Sequence, residues 1–466
     1  MEGHMVDLLP GFDSARSIAN WISESPIVTD PMAKERAKAA FIDTIACMLA
    51  ACDDIATQTV FKALKYSGQG ACSAIGRTET LSAESAALLN GTAAHALDYD
   101  DNFLPAVTHA SAVLVPSLLS LGEEVGASGN QLLDAYIIGL EVQAWLGRFM
   151  IPAHYAAGWH ATSTIGTIGA AAACVRVLTL DDQSALGAVS LATSMASGSK
   201  LQFGSMAKPL HAGLAARAGI TAARLAAAGV NANEDPFHGP WGFISLHHAS
   251  QTPTNAPSGQ LAIIEAGLAQ KRWPCCASAH RTLDAILQLR QENDLDPHQI
   301  DYIETTIPDS NVKNLRFDNP ENENEARFSM PYCAALVALN GKMSLSDFTP
   351  AAVRRPEVKA FLPKIRMNSA GPQSDFGTGI WDIPAETRIT TKQGDVFEKT
   401  ISHPVGTIHH PMGENELYQK FSECAASLLS PEQTDEFYTR LLNFENEPVR
   451  HIASHLRRRE VPSTVN

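Results

Sequence analysis

A lysine and a histidine stand three residues apart in Gly204–Gly219, GSMAKPLHAGLAARAG, inside an otherwise apolar, alanine-rich stretch. Residues at i and i+3 share a helix face. Pro209 suits the first helical turn, where its missing N–H costs nothing. Lysine is seldom buried without a partner. Lys208 therefore either snorkels to water or is placed to meet something negative, with His211 beside it.

Four other stretches carry reactive groups. Ala96–Pro116, ALDYDDNFLPAVTHASAVLVP, holds Asp98, Asp100 and Asp101 within four residues, and His109 follows eight residues after Asp101. A solvated acidic cluster or a helix N-terminus explains such a run equally well. Ala157–Ala170, AGWHATSTIGTIGA, puts His160 before Thr162, Ser163 and Thr164. A histidine capping the next helix is the plain alternative, and no Gly-Lys-Ser/Thr follows to make a phosphate loop. Lys271–Ile286, KRWPCCASAHRTLDAI, brings Arg272, Cys275, Cys276 and His280 together at a change of sequence character. Glu325–Leu339, EARFSMPYCAALVAL, places Tyr332 on an apolar helix, where a core tyrosine is as natural as a site residue.

Histidine, with a reference pKa of about 6.5, suits proton transfer near neutrality. A lysine near a carboxylate stabilises developing charge. Metal binding is not expected, because no second histidine stands at usable local spacing beside the aspartates. The eight cysteines are scattered and show no zinc or cluster spacing. A reducing, cytoplasmic setting follows. Thiol catalysis by Cys275 or Cys276 is a weaker reading, since free cysteines are usually buried hydrophobes.

These groups need elements to hold them. Helical periodicity marks Ala33–Ala50, where Ala37, Phe41, Ile45, Met48 and Leu49 share a face. Gln131–Arg148 is apolar almost all round, as in a helix buried within a bundle. Ala161–Leu178 and His211–Ala228 are rich in small residues that let helices approach closely. An all-helical domain over about residues 1–268 is the expectation. After Lys271 the pattern changes. Asp301–Ile307 and Lys364–Met367 read as strands, and Glu386–Ile401 reads as a hairpin turning at Gln393–Asp395. Helices are expected at Arg281–Asn293 and Arg327–Leu339. That mixture gives a smaller α+β domain over 269–402. From 403 to 466 the chain is expected to become helical again and return to the first domain.

The 466 residues carry 35 basic and 50 acidic side chains, a net charge of −15, which argues against nucleic acid as a partner. No basic membrane-surface patch or membrane-length apolar run is present. The start, MEGHMVDLLPGF, lacks the basic and apolar regions of a signal peptide. An acidic exterior repels acidic ligands at long range, so any anion site must be made locally.

Taken together, the motifs resemble the MmgE/PrpD family, over about residues 15 to 425. They are D-Y-D-D…T-H at Asp98–His109, G-W-H at 158–160, K-P-x-H-x-G at 208–213, G-P-x-G-F at 239–243, P-C-C…H at 274–280 and E-A-R-F-S at 325–329. The resemblance implies a mainly α fold, with a large all-helical domain built from both chain ends plus a smaller inserted α+β domain. It implies a homodimer, no metal or organic cofactor, and a site in the cleft between domains. Its substrates are small di- and tricarboxylates.

By position, Asp98, His109, His160, Lys208, His280 and Tyr332 match pocket residues of the decarboxylase branch. Asn102 stands where that branch has threonine, and the loop between Pro105 and His109 is one residue longer. In this reading Lys208 and His280 hold carboxylates, with Asn102, Arg272 and His211 as further substrate contacts. His109 and His160 act as general acid and base, Tyr332 is a second proton donor, and Asp98 orients a histidine. The implied reaction is that of a lyase, either a cis-aconitate decarboxylase or a 2-methylcitrate dehydratase. Epimerisation of an imino- or amino-dicarboxylate is the alternative, and a non-catalytic carboxylate binder is a third.

Overall fold

The structure, a computed structural model, describes residues 12–65, 69–249, 256–371 and 383–458. The chain falls into two compact units. One comprises residues 1–96, 100–268 and 418–466, and the other comprises 97–99 and 269–417.

The first unit is built on helices α1 (Pro31–Ala50), α2 (Ala83–Ala96), α3 (Ala110–Val125), α4 (Gly129–Met150), α5 (Ala161–Val177) and α6 (Ala207–Ala227). Their starts follow from local chemistry. Asp30 accepts from the Ala33 N–H ahead of α1, with Pro31 as its first residue. Ser128 and Gln131 form a reciprocal capping box on α4. α6 begins at Ala207, which places Lys208 and Pro209 inside its first turn, where the sequence puts them.

Small residues set how closely these helices pack. A Cβ at Gly91 would lie 2.9 Å from Gly213 Cα, so α2 and α6 touch backbone to backbone. A Cβ at Gly139 would lie 2.8 Å from the Gly169 carbonyl, giving α4 and α5 the same approach. Tyr136 and Trp145 are fully buried on α4, as its all-round apolar sequence requires.

The unit is not wholly helical, contrary to expectation. Gln69–Ser73 (β1) and Thr80–Leu81 (β2) pair antiparallel. The Ser73 backbone is satisfied by the Glu123 and Asn90 side chains. No membrane-length apolar helix exists among the described residues.

The second unit holds a four-stranded mixed sheet. Its strands are β3 (Ile300–Ile307), β4 (Ile365–Ser369), β5 (Ala385–Thr391) and β6 (Val396–Ile401), in the order β4-β3-β5-β6. β3 and β4 run parallel, and the other pairs are antiparallel. Ile303, Thr305 and Ile307 alternate inward with Ala385, Thr387 and Ile389. Helices α7 (His280–Glu292) and α8 (Met330–Asn340) share their core.

Two boundaries differ from expectation. The helix expected from Arg327 starts at Met330, because the Ser329 hydroxyl accepts from the Tyr332 N–H and caps it there. The unit continues past 402 to Leu417. Val405 N–H donates to Asp284 and Gln270 N–H donates to Gly406 O, which holds the added segment to its own unit. Helical structure resumes over Glu414–Ala425, Pro431–Leu442 and Val449–Ser454. A buried 2.6 Å ion pair between Lys420 and Asp43 fastens the first of these to α1.

Candidate active site

In the first unit the N-terminal ends of three long helices each carry a basic side chain. His109 is the N-cap residue of α3, His160 is that of α5, and Lys208 is the second residue of α6. Neither histidine ring caps its own helix. Both turn to other side chains instead. His160 Nδ1 lies 3.0 Å from His211 Nδ1. His109 Nδ1 lies 3.0 Å from Asp100 Oδ2. The same carboxylate meets His95 Nδ1 at 2.9 Å, and His95 Nε2 lies 3.0 Å from Lys208 Nζ. The rings of His95 and His109 are 4.3 Å apart, and those of His95 and His160 5.9 Å. Phe203 closes on the cluster, edge-on to His160 and 5.6 Å below Lys208 Nζ.

The electrostatics separate these groups. Burial pushes His95 down to about 3, with Asp100 opposing and Lys208 adding to the effect. Burial also holds His160 well below the usual histidine range, helped by His95, Lys208 and His109. His211 is lowered by burial and by Lys208. Burial alone would raise Asp100, but His95 and His109 outweigh it and keep the carboxylate ionised. The next residue behaves oppositely. Asp101 is raised to about 8 by burial and the nearby Asp43, and accepts a hydrogen bond from Ser111. Helix N-termini carry partial positive charge. A chain of net charge −15 thus buries a lysine, Lys208, at a helix N-terminus among histidines kept neutral by burial, with the ionised Asp100 on the far side of His95. Asn102 belongs to the same unit, and its buried Nδ2 has no hydrogen-bond partner.

The second unit holds the remaining candidates. Asp98 has φ +52° and pairs with buried Lys271, whose Nζ lies 3.2 Å from Asp98 Oδ2 and donates to the Asp98 carbonyl at 2.6 Å. His280 opens α7, and its Nε2–H donates to the Cys275 carbonyl at 3.1 Å. Arg272 is one-third exposed, lies over Trp273, and stands 3.9 Å from both Asp284 and Glu416. Tyr332 is fully buried in the core, and its hydroxyl donates to the Asp347 carbonyl at 2.5 Å. Burial raises it to about 12. Burial likewise pushes the Cys276 thiol up to about 11 and Cys275 well above the ordinary range.

The MmgE/PrpD N-terminal domain matches residues 16–255 and the MmgE/PrpD C-terminal domain matches residues 273–444. The chain belongs to the MmgE/PrpD family. A cis-aconitate decarboxylase of Homo sapiens is 31% identical over 376 residues, which span 78% of this chain and 76% of that protein. A cis-aconitate decarboxylase of Aspergillus terreus is 23% identical over 458 residues, 92% of each chain. The family's mainly helical architecture with a smaller α+β part is the architecture described above.

Within this MmgE/PrpD chain the structure brings His109, His160, Lys208 and His211 together, joins to them Asp100 from the acidic run, and adds His95, which no motif of the sequence marks. Asp100 is the carboxylate found on two histidine rings, while Asp98 is paired with Lys271. His95 was missed by one position, since it immediately precedes the Ala96–Pro116 stretch. The expectation that no second histidine stands near the aspartates is therefore corrected. His95, Asp100 and His109 bring metal-ligand atom types within 4.8 Å of one another. Both nitrogens of His95 are nonetheless engaged, one by Asp100 and one by Lys208. A cation held by the two Nδ1 atoms and Asp100 would have to take the place of the ring proton between His95 and Asp100. Tyr332 lies in the core of the second unit, with its hydroxyl donating to the Asp347 backbone carbonyl. Thiolate catalysis finds no support in buried thiols of raised pKa.

Proposed function

We propose that this protein is a cofactor-independent lyase of small tricarboxylates, acting as a cis-aconitate decarboxylase. The observation that carries the reading is the buried Lys208 at the first turn of α6, surrounded by His95, His109, His160 and His211. A buried lysine at a helix N-terminus, flanked by neutral imidazoles that can donate or accept, recognises carboxylates strongly. The cis-aconitate decarboxylases that the chain resembles supply the substrate class.

In this mechanism Lys208 holds a substrate carboxylate, with Asn102 as a further binding group. The carbon–carbon bond to a second carboxylate breaks, carbon dioxide leaves, and the electron pair enters the conjugated carboxylate system. The Lys208 charge stabilises that pair. A proton then adds to carbon. His109 is the donor, because the Asp100 carboxylate beside its Nδ1 favours the imidazolium form. His160, kept neutral by burial, serves as base or hydrogen-bond acceptor.

Proton NMR in heavy water, with cis-aconitate, 2-methylcitrate, citrate and iminodisuccinate, tests the reading. Loss of carbon dioxide from cis-aconitate is the expected result. Loss of water from 2-methylcitrate would make the protein a dehydratase. Deuterium entering an α-position with no change of skeleton would make it an epimerase. Binding without turnover would leave a carboxylate binder. The reading also carries a homodimer, which light scattering in solution checks.

A further inference from the structure

We propose that His95, held by Asp100, is the positioning residue that sets both the substrate cation Lys208 and the proton donor His109. The effect on substrate rests on the lyase reading above, and the geometry does not. An ammonium has only hydrogens to give. His95 Nε2, 3.0 Å from Lys208 Nζ, is therefore the acceptor and carries no proton. Nδ1 must then hold the ring proton and donate it to Asp100 at 2.9 Å. His95 is a neutral imidazole of one tautomer, and its side chain is wholly buried. It stands in the last turn of α2, the helix whose Gly91 meets Gly213 of α6. The backbone contact between those helices therefore fixes the ring against Lys208.

The second consequence comes from sharing. Asp100 Oδ2 lies 2.9 Å from His95 Nδ1 and 3.0 Å from His109 Nδ1. Removing the His95 donor leaves the carboxylate to His109 alone, which favours the His109 imidazolium. Removing the His95 acceptor releases Lys208 from its place. Other ionisable groups at the cluster include His160, His211 and Asp101. The two histidines are lowered by burial and Asp101 is raised to about 8, so these groups add little charge at pH 7.

The test uses the full-length protein with ¹⁵N- and ¹³C-labelled histidine. At pH 7 the His95 ring is expected as the neutral Nδ1–H tautomer; an Nε2–H tautomer or an imidazolium overturns the proposal. Tricarballylate, a saturated tricarboxylate, then serves as the binding probe by calorimetry. In His95→Leu its affinity should fall about ten- to hundredfold, as for a lost hydrogen bond to a charged group. His109 should titrate at higher pH in the same variant. His95→Gln, whose amide keeps one donor and one acceptor, should recover most of the affinity and the original His109 titration. A folded His95→Leu with wild-type affinity and wild-type His109 titration overturns the proposal, as does a His95→Gln as defective as His95→Leu. If the wild-type protein does not bind tricarballylate, the lyase reading falls, while the tautomer and the His109 titration still decide the role of His95.

Discussion

His160 and His211 meet nitrogen to nitrogen, with Nδ1 3.0 Å from Nδ1. One nitrogen must donate and the other accept, so the contact excludes two imidazolium rings. Burial adds to this by lowering both. His95, at about 3, and His154, at about 4 and bonded to Thr164, are two more rings kept neutral in the fold.

Stability should therefore fall as the solution is acidified. A histidine with a depressed folded pKa binds fewer protons than in the unfolded chain. Its contribution is complete above the unfolded value of about 6.5 and is lost as pH falls toward the folded value. Each such ring contributes at most roughly 1.4 kcal/mol per pH unit in that window. Urea unfolding at intervals from pH 7 to pH 4 is expected to show a steep loss. A flat profile would mean that the rings are not buried neutral.

Asp101 works in the opposite sense. Its folded pKa is raised to about 8, so the folded state binds more protons than the unfolded state from the ordinary carboxylate range up to that value. Its contribution is therefore lost as pH rises through that window. Asp101→Asn keeps an acceptor for Ser111 and removes the ionisation. It should be more stable than wild type at pH 8 by at least about 1 kcal/mol, with the gain vanishing near pH 4. A variant less stable than wild type at pH 8 would show that the acid form is not what the fold holds.

Lys208→Ala should act chiefly on substrate binding. Loss of one charge-assisted hydrogen bond, about 1.5–3 kcal/mol, corresponds to a KM raised roughly ten- to hundredfold. Steady-state kinetics with cis-aconitate checks this. An unchanged KM with a lowered kcat would remove the carboxylate-anchor role.

Gly213→Ala tests the packing that carries the cluster. Its methyl group would overlap the Leu88 carbonyl and stand 2.6 Å from Thr92 Oγ1, so α2 and α6 would have to separate. Overpacking of this kind costs about 1–3 kcal/mol. The separation should also pull His95 from Lys208. Thermal unfolding and tricarballylate affinity should both decline; a lowered melting point with intact affinity would show that the helices part elsewhere.

Much of this was legible in the chain. Apolar periodicity, small-residue runs and strand alternation report local backbone preference and burial. They marked α1, α4, α5, α6 and the β5–β6 hairpin to within a few residues. The conflict between Lys208 and its apolar surroundings was also visible, because a charge in an alanine-rich helix must find a partner. Which partner it finds is a different matter. Asp98, Asp100 and Asp101 look alike in sequence, yet one pairs with Lys271, one lies between two histidines, and one is raised toward neutrality. Each outcome depends on desolvation and on side chains far away in sequence, since Lys208 lies 113 residues from His95. Tyr332 reads equally as core or site in the sequence, and only the fold shows its hydroxyl on the Asp347 carbonyl. Spacing along the chain determined which reactive groups were available. Their charge states and pairings were decided only by the tertiary structure, because both depend on which groups are brought together out of water.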